Sequence, residues 1–192
     1  MDSLLNYFNQ SSTITIIVLF VLSIYFIITF WIFIDRYSVI TSRISSEYTS
    51  LKGLYSSKSK SVSEKSLILT YLARVDRPNK AIFEAASSDA VRASTKGLTW
   101  LSIIASTSPF IGLFGTVIGI LETFSKLGSQ SSASLSVVAP AISEALIATA
   151  AGIAVAIFAY TFHLILKRKV YEFSSILTTQ SEIILAQLDE ER

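Results

Sequence analysis

The sequence predicts an all-α integral membrane protein, with three transmembrane helices extended into a helical cytoplasmic domain. Three observations carry that reading. The 192-residue chain is 51% hydrophobic with a mean hydropathy of +0.56, too apolar for a water-soluble domain of this size. The excess lies in three blocks, Ile14 to Ile34, Gly97 to Leu121 and Leu135 to Leu166, each longer than the roughly 20 residues that span a hydrocarbon core. Outside those blocks, apolar residues recur at helical spacing.

The first block, 14–34, holds no charge and has no Lys or Arg before it. It is longer than a signal-peptide core and lacks a small-residue cleavage site at its end, so it is expected to remain as transmembrane helix 1. Tyr37, Ile40, Ile44, Tyr48, Leu51 and Tyr55 continue at helical spacing, which predicts a helix projecting beyond Asp35. The Ser/Lys-rich run 56–63 has no apolar period and reads as a loop. Helices are expected over Glu64 to Val75 and Asn79 to Thr95, parted by Asp76-Arg-Pro78.

Transmembrane helix 2 is expected over 97–121, a short connection over 122–134, and transmembrane helix 3 over 135–166. Beyond it, Val170, Phe173, Leu177, Ile184 and Leu188 keep a helical line that Gln180 and Ser181 interrupt, predicting a C-terminal helix over 167–192. That line could form a parallel bundle or dock on other cytoplasmic helices.

Orientation follows from charge. Most of the sixteen Lys and Arg fall between Arg36 and Lys96 or in Lys167-Arg168-Lys169, with none in 1–13 and only Lys126 between the second and third blocks. The positive-inside rule therefore places 1–13 and 122–134 outside the membrane, and 35–96 and 167–192 in the cytoplasm. Trp31 and Trp100 suit the aromatic belts near the cytoplasmic boundary. The basic surface reads as a solvated face beside anionic lipid headgroups, not as a nucleic-acid site.

Glu144 is the only formal charge in the stretch 127–166. A carboxylate at mid-bilayer costs on the order of 3 kcal/mol to insert, so it marks a site or a partner. On the second membrane helix, Ala105, Pro109, Gly112, Thr116, Gly119 and Thr123 share one small, mildly polar face. On the third, Ala141, Ala145, Ala148, Gly152, Ala156 and Ala159 do the same, with Thr149 at the border. Gly115 adds a Gly115-x-x-x-Gly119 pair. Such faces serve close helix packing or admit a partner helix. The two small faces are more than one three-helix chain is expected to bury on itself, which predicts a homo-oligomer. Glu144 and Thr149 stand five residues apart, about 140° around a helix, and are not expected to stack. A membrane threonine can also bond its own backbone four residues back, which remains open for Thr149. Pro109 is expected to free a carbonyl inside its helix, and Pro140 to fix the start of the third. His163, just ahead of the basic cluster, reads as an interfacial anchor.

The segments Pro109-Phe-Ile-Gly-Leu-Phe-Gly-Thr-Val-Ile-Gly119 and Ala139-Pro-Ala-Ile-Ser-Glu-Ala-Leu-Ile-Ala-Thr-Ala-Ala-Gly152 resemble the ExbB/TolQ/MotA family of proton-channel motor subunits. The likeness covers roughly Trp100 to Lys169 and fits the ExbB/TolQ branch, leaning to TolQ in Glu144-Ala-Leu-Ile-Ala-Thr-Ala150. MotA-type stators have four crossings, which argues against flagellar drive here. The resemblance implies a pentameric ring in the bacterial inner membrane. Thr116 and Thr149 would line its inner wall, near the membrane aspartate of a single-span ExbD- or TolR-like partner. Glu144 would match the family's membrane glutamate, tuning the pore or relaying protons. The load would be a TonB- or TolA-like protein, and no cofactor or metal is implied.

Two competing classes can be weighed. An enzyme lacks support, with no nucleotide-binding Gly-x-x-x-x-Gly-Lys loop, no His-Glu-x-x-His zinc motif and a single histidine. A structural scaffold or passive channel remains, in which Glu144 is an inter-subunit contact.

Overall fold

The computed structural model describes residues 13–55, 79–128 and 135–190. Among these residues the chain is all-α: α1 (Thr13–Tyr55), α2 (Lys80–Ser94), α3 (Leu98–Gly128) and α4 (Leu135–Glu190). The apolar parts of α1, α3 and α4 are each long enough to cross a bilayer. The loop expected over 56–63, the helix over Glu64 to Val75 and the break at Asp76-Arg-Pro78 lie outside the described residues, as do 1–12 and 129–134.

α1 and α4 each continue without a break from apolar run to polar extension, as the spacing of their apolar residues predicts. α3 reaches Gly128, beyond the Leu121 expected from hydropathy. Pro140 does not mark a helix start: α4 begins at Leu135 and carries the proline inside it. The five residues ahead of it take helical conformation, and an internal proline is tolerated where neighbouring helices re-satisfy the freed carbonyl.

Asn79 caps α2, its side-chain oxygen accepting from the Ile82 amide at 3.0 Å, an arrangement that stabilises a helix start by about 1 kcal/mol. α2 ends at Ser94, and Gly97, with φ of 89°, turns the chain into α3 through a left-handed conformation that a side chain would strain. The Leu98 amide closes that turn on the Thr95 carbonyl at 3.1 Å.

The chain divides into two compact units. The first takes in the described residues of Met1–Ile32 and Trp100–His163. Its core joins Val18 and Leu22 of α1, Ile104 of α3, and Ala148, Val155 and Ala159 of α4. Phe30 meets Phe162 edge-on at 5.0 Å between ring centres, and Phe26 meets Phe158 at 5.7 Å, a geometry that adds to burial. Outward from this unit point Phe20, Ile27, Trp31, Trp100, Phe110, Phe114, Leu121 and Ile157, the surface expected of helices solvated by lipid.

The second unit takes in the described residues of Phe33–Thr99 and Leu164–Arg192. α2 buries Phe83, Ala86, Ala90 and Ser94, one helical face. α1 buries Ile40, Ile44, Glu47 and Ser50, and α4 buries Leu166, Val170, Phe173, Leu177, Gln180, Ser181 and Ile184. The α1 line read from sequence separates into two: Ile40 and Ile44 turn inward, while Tyr37, Tyr48 and Tyr55 are exposed. Those tyrosines are eleven and seven residues apart, close to whole numbers of turns, so they share an outer face of their own.

Candidate functional site between the apolar helices

The site is built on a contact between α3 and α4 that only glycine permits. A Cβ added at Gly112 would stand 2.6 Å from the Ala148 carbonyl oxygen, and one at Gly152 would stand 2.5 Å from the Ser108 carbonyl oxygen. Both obstacles are backbone, which cannot rotate away. Gly115 takes Val18 of α1 and Ala148 of α4 against it, and Gly119 faces Ala145 and Thr15. The small faces of α3 and α4 therefore cover each other within one chain. This corrects the expectation that a single chain could not bury them: two glycines opposed across the helix pair let the backbones approach until the faces close on themselves.

That approach brings two of the sequence-predicted residues together. Thr116, on α3, lies 3.0 Å from the Ala145 carbonyl of α4 and 3.3 Å from the Gly112 carbonyl one turn back. Its hydroxyl also contacts the hydroxyl of Thr149. A carbonyl can only accept, so Thr116 donates its one proton to a carbonyl, and Thr149 must then donate to Thr116. The order is Thr149 to Thr116 to Ala145 carbonyl, a chain of hydroxyls crossing between helices. Thr116 is 8% exposed. Within the single chain its hydroxyl is engaged by α4. Thr149 bonds across to α3, so the alternative of back-bonding to its own helix does not arise.

Glu144 is not part of that chain. Its Oε1 is buried with no hydrogen-bond partner, one residue before the Ala145 whose carbonyl receives Thr116. The five-residue offset keeps it away from Thr149, as helix geometry requires. A buried carboxylate oxygen without a donor is costly, which makes Glu144 a candidate functional group.

Pro109 stands inside α3 and leaves the Ala105 carbonyl without a helical donor. The hydroxyls around it turn onto the preceding turn: Thr107 to the Ile103 carbonyl at 2.8 Å and Ser108 to the Ile104 carbonyl at 2.6 Å. Back-bonding of this kind hides polar groups from hydrocarbon and favours bending. Sequence reasoning missed Ser108 and two residues of α1, Thr15 and Thr29. All three are buried, and the Thr29 hydroxyl oxygen has no partner. Thr15, Leu22 and Thr29 recur every seven residues on an otherwise apolar helix, a signal that could have found them.

Three helices able to span a bilayer, with paired hydroxyls between two of them, define a multi-pass membrane protein. Residues 60–179 match the MotA/TolQ/ExbB proton channel family. The chain is 42% identical to the biopolymer transport protein ExbB-like 1 of Helicobacter pylori over 95% of its length and 97% of that protein's. It is 39% identical to the biopolymer transport protein ExbB of Salmonella typhimurium over 48% of its length and 38% of that protein's. Against the Tol-Pal system protein TolQ of Pseudomonas aeruginosa, identity is 53% over 31% of this chain and 26% of that one. The chain belongs to the MotA/TolQ/ExbB proton channel family, on its ExbB/TolQ branch.

Proposed function

We propose that the chain is the ring-forming subunit of a proton-driven motor in the bacterial inner membrane. With a single-span ExbD/TolR-like partner that carries a membrane aspartate, it couples proton-motive force to TonB- or TolA-dependent work at the outer membrane. The observation that carries this reading is the buried, unpartnered Glu144 oxygen in an apolar helix. A proton crossing the membrane releases about 2.3 kcal/mol per 100 mV, which a carboxylate with alternating access can convert into helix movement.

In this reading the partner aspartate approaches the α3/α4 pair and takes over the hydroxyl contacts that Thr149 and Thr116 otherwise make within the chain, and Glu144 tunes or relays the charge. Closure of the small-residue faces within one chain gives the ring, a pentamer by family likeness, a different footing. It rests on family membership and on the apolar outer surface, not on unburied glycines. The N-terminus is periplasmic and the C-terminus cytoplasmic. Cysteines at Ser3 and Ser131 should therefore react with a membrane-impermeant thiol reagent in sealed cells, and one at Ser59 should not.

The test pairs complex recovery by size exclusion with complementation of an envelope-integrity or iron-uptake defect. Thr149→Val is the cleaner threonine change, because the Thr116 bond to Ala145 survives it. Thr116→Val strands the Thr149 hydroxyl and adds an instability of about 1–3 kcal/mol. The motor reading expects Thr149→Val and Glu144→Ala to assemble and fail to complement. A scaffold, in which Glu144 is a subunit contact, expects Glu144→Ala to lose the complex and Thr149→Val to be silent.

A further inference from the structure

Beyond the apolar helices, the second unit holds a groove of about 320 Å³ lined by Tyr48 and Leu51 of α1 and by Arg168, Tyr171, Glu172, Ser175 and Ile176 of α4. Its two tyrosines are conspicuously open, Tyr48 at 60% and Tyr171 at 69% exposure. Lys169 meets Glu172 at 3.3 Å, whereas Arg168 forms no ion pair among the described residues. The lining thus combines two aliphatic side chains, two tyrosines and one charge of each sign.

Position adds to this chemistry. The apolar run of α4 ends at Leu166, so Arg168 follows it by about 3 Å along the axis and Glu172 by about 9 Å. The headgroup layer adds roughly 5–7 Å to each side of the hydrocarbon core. Helical side chains lean toward their own N-terminus, which on α4 is toward the apolar run, so both charged groups reach back toward that layer. The order along the helix, cation first and carboxylate second, mirrors a zwitterionic lipid headgroup, in which the phosphate lies nearer the acyl chains than the ammonium.

We propose that this groove binds the phosphoethanolamine headgroup of a phospholipid in the adjoining leaflet. Arg168 pairs with the phosphate, as a guanidinium does through two parallel N–H donors. Glu172 accepts from the primary ammonium, exchanging Lys169 for it. Tyr48 and Tyr171 flank the ammonium with ring faces that attract cations, and Leu51 and Ile176 cover the ethylene link. A purely anionic headgroup would satisfy Arg168 but would leave Glu172 facing negative charge. The inference rests on the chain crossing a bilayer, and stands or falls separately from the proton-motor reading.

The experiment titrates the detergent-purified full chain with short-chain phosphatidylethanolamine, phosphatidylcholine and phosphatidylglycerol, and counts retained lipid by native mass spectrometry. Phosphatidylethanolamine should be retained about tenfold more strongly than either of the others, the worth of one charge-assisted hydrogen bond. Glu172→Gln should abolish that preference. Arg168→Gln should weaken retention of all three, and Lys167→Gln, outside the groove with the same loss of charge, should leave the preference intact. Equal or stronger retention of phosphatidylglycerol by the unaltered chain would overturn the proposal, as would a preference that survives Glu172→Gln. An interchain disulfide formed by Tyr171→Cys in reconstituted bilayers would seat a second copy in the groove, and would overturn it too.

Discussion

The two units of this protein make their closest contacts through residues of different size. In the unit that carries the proposed site, the closest contacts are made by Gly112, Gly115, Gly119, Gly152, Ala145 and Ala148, with Thr15, Thr29, Ser108 and Thr116 buried among them. In the other, Ile40, Ile44, Phe83, Leu166, Val170, Phe173 and Leu177 fill most of the interior, beside Ala86, Ala90 and the buried polar Glu47, Ser50, Ser94, Gln180 and Ser181. The solvent explains the difference. Lipid tails are as apolar as leucine, so large side chains gain little by leaving them, and helices associate through backbone proximity and polar contacts. Water rewards each buried aliphatic or aromatic side chain with about 1.5–3 kcal/mol, and large residues fill the core. One continuous helix, α4, uses Ala148 and Gly152 in one regime and Phe173 and Leu177 in the other.

The sharpest way to test that contrast is to remove a large side chain where water drives packing. Phe173 is fully buried, and Phe173→Ala should cost about 3–5 kcal/mol. The loss should be local. Limited proteolysis should cut the second unit while the three apolar helices stay membrane-inserted and the Thr116–Thr149 contact persists. Loss of membrane insertion in this variant would show that the two packing regimes are not separable.

The converse change adds the smallest possible group where lipid surrounds the helices. Gly152→Ala places a methyl 2.5 Å from the Ser108 carbonyl oxygen and 3.1 Å from Gly112 Cα, so α3 and α4 must part. The expected cost is about 1–3 kcal/mol, the range for overpacking, read as a lowered thermal midpoint in detergent. Its functional effect should exceed its stability effect, because separation also pulls Thr149 from Thr116. Gly53, which has nothing within 4 Å of an added Cβ, should accept alanine and gain slightly from helix propensity.

How far these features were legible depends on which physics wrote them. The long apolar helices and their continuation through Tyr55 and through the basic cluster were plain from hydropathy and period, because both signals are local and strong. The Glu144, Thr116 and Thr149 positions were singled out by the cost of polarity in an apolar run and by family likeness. What the sequence did not give up was direction. A small-residue face says that something approaches closely, but the approaching group is a tertiary fact, and here α3 and α4 supply it to each other. The exposed tyrosines of α1 were merged with Ile40 and Ile44 for a similar reason, since tyrosine suits either side of a helix. Gln180 and Ser181 were read as interrupting the α4 line, whereas both are buried within it.

Gln180 carries the finest form of the comparison, because it is a membrane-style contact placed in the water-driven unit. It is 1% exposed, its Nε2 donates to the Glu47 backbone carbonyl at 2.6 Å, and its Oε1 is buried without a partner. It continues the 170, 173, 177 spacing that leads to Ile184, a place where leucine would be the ordinary choice. Leucine there would lose one hydrogen bond and relieve one unsatisfied acceptor, while burying more apolar surface. Net neutral bonds are worth about 1 kcal/mol and an orphaned buried acceptor costs about 1–3 kcal/mol, so Gln180→Leu should be neutral or stabilising by about 1 kcal/mol. Gln180→Ala should instead destabilise by about 2 kcal/mol, through the cavity it opens and the bond it removes. Denaturant midpoints of the two variants, measured side by side, decide the matter. A buried polar side chain at such a spacing fixes the register of the helices it joins, and a role of that kind predicts that Gln180→Leu gains stability yet permits more than one alignment of α1 against α4. Disulfide pairing between cysteines at positions 44 and 177, and between 44 and 173, would read this directly. A single pairing in the unaltered background and two in Gln180→Leu would assign Gln180 to alignment, whereas a single pairing in both, with a clear loss of stability in Gln180→Leu, would make it an ordinary core residue.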